Sequence, residues 1–160
     1  MDAETKKRVE AFLEHKGLRW TGQREAIVET AFGTTDHFTA EELLAMVRRM
    51  DSSVSRATVY RTLSLLTESG LIHELHLEGK DQKVYDPNYS KHPNHAHIIC
   101  NDCDKIVEFE SKDIERLENQ ISESLGFSIS SQRLEIHANC EDLKKKGVCA
   151  NQACEKKKEA

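Results

Sequence analysis

Two histidines and two cysteines fall within nine consecutive residues, His95-Ala96-His97-Ile98-Ile99-Cys100-Asn101-Asp102-Cys103, and three more cysteines follow at Cys140, Cys149 and Cys154. A Cys-x2-Cys pair joined by cysteines from a distant segment suits tetrahedral thiolate ligation of a structural zinc ion. The alternating histidines suit a different centre. On a strand both rings point to one face, and imidazole combined with oxygen ligands accepts first-row divalent metals in a more open geometry. Two such centres in a short chain that also carries a helix-turn-helix pattern point to a metal-sensing gene regulator rather than an enzyme.

The first half of the chain is helical by pattern. Val9, Phe12 and Leu13 give one apolar face that ends at Gly17, and Ile27, Val28 and Ala31 give a second that ends at Gly33. Thr39-Ala40-Glu41-Glu42 has the form of a capping box opening a helix with Leu43, Leu44, Met46 and Val47. Ser55 is the N-cap of a fourth helix carrying Val59, Leu63 and Leu66, with Gly70 as its stop. Strand-like runs at 71–77 and 83–86 follow, joined by Glu78-Gly79-Lys80-Asp81. Helices followed by a hairpin predict a winged helix-turn-helix.

Both prolines lie in Asp86-Pro87-Asn88-Tyr89-Ser90-Lys91-His92-Pro93, which interrupts any regular element. The expected organisation is therefore a winged-helix DNA-binding domain over 1–86, a hinge over 87–94 and a metal-binding dimerisation domain over 95–160. In the last of these the pattern predicts strands at 95–100 and 105–110, then a helix with Ile114, Leu117, Ile121 and Leu125 on one face. Further strands span 127–137, with a bulge or break near Ser131 where the apolar parity shifts. The fold class is α+β, the second domain being small and α/β in composition.

The bulk numbers narrow the alternatives. The chain has 160 residues and a net charge of −5, which does not advertise a nucleic-acid binder. Charge placement matters more than the sum. Four arginines and only Asp51 among the acids lie between Arg48 and Arg61, so a DNA-binding surface would be local. No apolar run approaches the roughly 18 residues that span a bilayer, and the start lacks the apolar stretch of a secretory signal. The expectation is a cytoplasmic protein with no membrane partner, whose clustered thiols stay reduced and bind metal.

In the fourth helix the inward Val59, Leu63 and Leu66 leave Arg56, Ala57, Tyr60, Arg61 and Ser64 outward near its N-terminal end, where recognition helices contact bases. Arginine can bridge guanine or phosphate, and a tyrosine ring can pack on a thymine methyl. A solvated helix face is the bland alternative. Placement between a capped helix and a hairpin favours double-stranded DNA.

These residues carry a resemblance to a known family. Ser55-Arg56-Ala57-Thr58-Val59-Tyr60-Arg61-Thr62-Leu63 and Gly17-Leu18-Arg19-Trp20-Thr21-Gly22-Gln23-Arg24 are similar to motifs of the ferric uptake regulators. His37-Phe38-Thr39-Ala40-Glu41-Glu42-Leu43 and His95-Ala96-His97-Ile98-Ile99-Cys100 continue the likeness, which runs in order from about Lys7 to Cys140. The resemblance implies a homodimer that represses transcription when a divalent metal is bound. It also implies that Arg19 enters the minor groove while Tyr60 and Arg61 meet the major groove and backbone.

The resemblance supplies a regulatory metal set of His37, Asp86, His95, His97 and Glu108, with His92 as a possible substitute because 88–93 is longer than in many relatives. For the structural zinc it implies Cys100, Cys103 and Cys140. The usual partner positions three and five residues after Cys140 hold Leu143 and Lys145 here. A looped-out insertion over 141–148 would return Cys149 as the fourth ligand, with Cys154 as the alternative. A further site found in many relatives would fall on Asn94, Ala96, Glu115 and Gln132, of which only Glu115 ligates well, so its absence is expected. His15, His73, His76 and His137 fit no motif and read as surface or strand residues.

Among related sensors, Glu108 leans towards iron and Asp86 towards peroxide sensing, and there is no cysteine before Cys100 of the kind zinc sensors use. The expectation is Fe2+ as the regulatory metal, replaceable by Mn2+ or Zn2+ in vitro, beside a structural Zn2+. A peroxide or manganese sensor is the alternative. From other classes, a zinc hydrolase would need an open zinc position with Glu108 as base, and a zinc-stapled interaction module would not bind DNA at all. No His-Glu-x2-His helix or nucleophile elbow is present, so neither an enzyme nor a small-molecule substrate is expected.

Overall fold

The computed structural model describes residues 1–77, 82–87 and 95–148. The predicted hairpin turn at 78–81, the linker residues 88–94 with His92 and Asn94, and the tail with Cys149 and Cys154 lie outside the described residues. The chain forms two compact units, Met1–Lys91 and His92–Ala160.

In the first unit each helix has a local start signal. Helix α1 (Ala3–His15) is capped by Asp2, which accepts from Thr5 N at 2.7 Å. Helix α2 (Gly22–Gly33) follows Thr21 as N-cap. A short strand β1 (Phe38–Thr39), which the sequence did not reveal, leads into α3 (Ala40–Arg48). There the capping box is complete: Glu42 N donates to Thr39 Oγ1 at 3.2 Å and Thr39 N donates to Glu42 Oε2 at 2.7 Å. Ser55 caps α4 (Arg56–Glu68), accepting from Thr58 N at 3.1 Å. Gly17 and Gly70 stand just past α1 and α4 at φ of 67° and 70°, a conformation glycine adopts without a Cβ penalty.

Strands β2 (His73–His76) and β3 (Lys83–Asp86) pair antiparallel, and β1 pairs with the other edge of β3 to give the order β1-β3-β2. The helices bury Ile27, Val28, Ala31, Leu43, Val47, Val59, Leu63 and Leu66, and Leu71, Ile72 and Tyr85 extend this core to the sheet. This is the winged helix-turn-helix.

The second unit is built on β4 (Ala96–Cys100), flanked by β5 (Ile106–Phe109) antiparallel and β6 (Glu135–Ala138) parallel. Helix α5 (Lys112–Ser124) is the crossover, with Ser111 as its N-cap. Two expectations are corrected. The stretch 127–137 does not form strands throughout: only Glu135–Ala138 pairs, and 127–134 is irregular. Strand β4 has a partner on each side, and Phe127 is 71% exposed. The insertion after Cys140 is also not simply a loop. Residues Glu141–Lys146 form α6, with acids in its first turn, lysines in its last, and Gly147 at φ 68° ending it. Ion pairs Glu141–Lys145 and Asp142–Lys146, both 2.9 Å, lie along it.

Candidate metal centres and nucleic-acid interface

On α4 the buried side is Val59, Thr62, Leu63 and Leu66. Arg56, Ala57, Tyr60, Arg61 and Ser64 are exposed, in agreement with the face read from the sequence. The structure adds a residue that the sequence reading missed. Glu41, in the first turn of α3, lies 2.8 Å from Arg56 Nε and accepts from the Tyr60 hydroxyl at 3.0 Å through the same oxygen, Oε1. The Arg56 guanidinium lies 5.6 Å from the centre of the Tyr60 ring. Its pKa is raised further, first by Tyr60 and then by Glu41. Beside them Tyr85 is pushed up to about 12, chiefly by burial and then by the Glu74 charge. Arg19 is exposed before α2, and the Arg24 guanidinium donates to its carbonyl.

The predicted regulatory ligands divide between the two units, and each unit assembles its own pair. In the first, Phe38 pairs with Tyr85 across β1 and β3, so the antiparallel register carries His37 opposite Asp86. A ligand atom of one lies within 4.8 Å of a ligand atom of the other. His37 thus stands at the entry to β1. Asp86 is fully buried, and on its other side it is paired with His73 of β2. His73 is itself buried, so of the surface or strand reading the strand part holds. No motif marked it; only the pairing of β2 with β3 places it beside Asp86.

In the second unit His97 of β4 is paired across the antiparallel ladder with Glu108 of β5, again with ligand atoms within 4.8 Å. His97 is buried and Glu108 exposed. His95 is buried too, its ring 4.6 Å from that of His97 in an edge-on contact. The alternation that the sequence suggested has put both rings on one face. Buried carboxylates and imidazoles in such pairs are costly unless charge is compensated, and nitrogen with oxygen donors suits a borderline divalent cation. The donor chemistry in both units fits a metal.

The cysteines gather by topology. Strands β4 and β6 run parallel with Cys100 opposite Ala138, so Cys140, two residues beyond, emerges at the same end of the sheet as Cys100. Cys100, with Cys103, flanks the tight β4–β5 turn, in which Asp104 N donates to Cys100 O at 2.8 Å and Cys100 N to Lys105 O at 2.9 Å. Asp104 takes a positive φ of 58° there. Asp102 accepts from Cys140 N at 2.6 Å and ties the two segments together. The Cys140 sulfur accepts from Leu143 N at 3.4 Å. Soft donors converging from a knuckle and a distant strand fit zinc.

Comparison with known proteins agrees with this architecture. The model of the ferric uptake regulator family matches residues 15–137. The chain is 34% identical over 147 residues to the ferric uptake regulation protein of Campylobacter jejuni, covering 91% of this chain and 88% of that one. It is 35% identical over 134 residues to the peroxide operon regulator of Bacillus subtilis, covering 84% and 90%. Among solved structures, the Helicobacter pylori ferric uptake regulator, described as having three functional metal binding sites, superposes with a TM-score of 0.74 at 26% identity, over 91% of this chain and 95% of that one. Among the described residues no helix is long and apolar enough to cross a membrane.

Proposed function

This chain belongs to the ferric uptake regulator family and is a metal-responsive regulator; from that premise we propose that it is an Fe(II)-dependent transcriptional repressor that binds operator DNA as a homodimer. The observation that carries the reading is the pair of imidazole–carboxylate couples, His37 with Asp86 in the winged-helix unit and His97 with Glu108 in the other. One ion taking ligands from both couples, with His95 beside His97, would couple the two units. If it binds one arrangement of them more tightly, it shifts the population towards the DNA-competent form. Arg19, Arg56, Tyr60 and Arg61 are the DNA contacts in this proposal. A structural zinc on Cys100, Cys103 and Cys140, completed by Cys149 or Cys154, holds the sheet end of the second unit.

The apolar face of α5 supports the homodimer. No residue of that helix is buried, and Leu117, Ile121 and Leu125 are 55%, 51% and 67% exposed. An exposed apolar stripe of that kind marks an interaction surface, which a second copy of the chain occupies in this proposal. A second reading, peroxide or manganese sensing, is favoured by the aspartate at Asp86 and by the likeness to the Bacillus subtilis peroxide regulator.

The test is fluorescence anisotropy on a pseudo-palindromic, A/T-rich duplex, performed anaerobically with Fe(II), Mn(II) and Zn(II) titrated separately. Fe(II) is expected to tighten binding by at least about tenfold, a coupling within the usual allosteric range, and His97→Ala to abolish that gain. Tightening by Mn(II) but not Fe(II), or release by peroxide at low dose, establishes the second reading. Binding that ignores every metal removes the switch.

A further inference from the structure

We propose that Glu41 is a specificity-determining positioning residue: from the first turn of α3 it holds Arg56 and Tyr60 of α4 in a pose suited to base edges and steers the pair away from backbone phosphate. The inference rests on α4 being the DNA-reading helix.

Three contacts close a triangle between the two helices. Arg56 Nε and the Tyr60 hydroxyl both converge on Glu41 Oε1, at 2.8 and 3.0 Å, and the guanidinium lies 5.6 Å from the Tyr60 ring centre. The carboxylate engages the guanidinium through Nε at 2.8 Å, and the Nη–H groups are the remaining donors of the fork. Guanine O6 and N7 require two parallel donors in a fixed direction. An arginine already held by an anion and a ring loses less side-chain freedom on meeting that edge.

The same anion acts in the opposite sense on phosphate. A base edge is neutral, whereas a phosphate approaching Arg56 meets the Glu41 charge within the same cluster, and like charges repel. Glu41 therefore favours sequence-dependent contacts over sequence-independent ones, which is the difference that specificity measures. Stability does not account for the cluster. Arg56 and Glu41 are 66% and 51% exposed in their side chains, and ion pairs so exposed contribute little to folding. A second carboxylate in the same groove, Glu74, lies 2.9 Å from Lys83 and so does not compete for Arg56.

The experiment uses the full chain, loaded with Fe(II) anaerobically. An operator duplex is first selected from a randomised pool with the wild-type protein, and a scrambled duplex of equal length serves as the comparison. Affinities of wild type, Glu41→Gln, Arg56→Ala and the double variant are measured across a salt series. For Glu41→Gln the ratio of operator to scrambled affinity is expected to fall about tenfold. Its salt dependence on scrambled DNA is expected to steepen by about 0.9 per protomer, one added phosphate contact. In the Arg56→Ala background, Glu41→Gln should change neither quantity, because Glu41 acts through Arg56.

An unchanged ratio and salt slope in Glu41→Gln overturn the proposal. So does equal tightening on both duplexes, which would make Glu41 a simple competitor with DNA. Wild-type protein that selects no sequence overturns the DNA-reading assignment of α4, and this proposal with it, before any variant is compared.

Discussion

The two units of this chain solve the problem of stability differently. The first packs an extended apolar core among four helices and a three-stranded sheet, with Ile27, Val28, Leu43, Val47, Val59 and Leu63 excluded from solvent. In the second, Ala96, Ile99 and Cys103 are the buried apolar residues among those described. Its long helix α5 buries nothing, and Phe127 and Leu125 stand largely in solvent. One unit is held by its own side chains. The other carries chemistry in place of a core, and the proposed zinc and the proposed second copy would supply what packing within the unit does not.

That contrast can be broken most sharply at the cysteines. Cys103→Ser, or removal of zinc by a strong chelator, is expected to unfold the second unit. Structural zinc contributes on the order of 10 kcal/mol in small domains at neutral pH. The helical circular dichroism of the first unit should persist and melt at its own temperature. A single transition, lost as a whole, would show that the units do not stand apart energetically.

Leu63→Ala should have the complementary effect. Truncating a fully buried leucine costs about 2–5 kcal/mol, so the first unit should melt earlier while zinc content and oligomeric state stay unchanged. Loss of zinc in that variant would contradict the division. The smallest of the three effects concerns the outer face of α5. Leu117→Ala is expected to weaken self-association by roughly ten- to a hundredfold, in keeping with about 1.5–3 kcal/mol for a buried leucine side chain. Sedimentation equilibrium would read it, and an unchanged dimer would place the interface elsewhere.

Much of the first unit was legible because its signals are local. The Thr39–Glu42 capping box, Ser55 as N-cap and glycines after α1 and α4 each act within a few residues of the backbone they serve. The alternation of His95 and His97 was legible for the same reason, and both rings do lie on one side of the strand. The stretch 127–137 misled because strand periodicity says that a segment could pair, not which part of it does. With β5 and β6 on either side of β4, only Glu135–Ala138 found a partner.

The helices and their stops, the hairpin strands, the outward face of α4 and the residue types that could hold metal are all written locally in the chain. These follow from backbone preferences and side-chain periodicity, which act over a few residues. Tertiary structure alone decided that Asp86 lies opposite His73 as well as His37, that Asp102 anchors Cys140 to the knuckle, and that Glu41 joins Arg56 to Tyr60. Each of those relations depends on strand register or on the packing of one helix against another. Those quantities are set by how the whole core closes, and no local spacing encodes them.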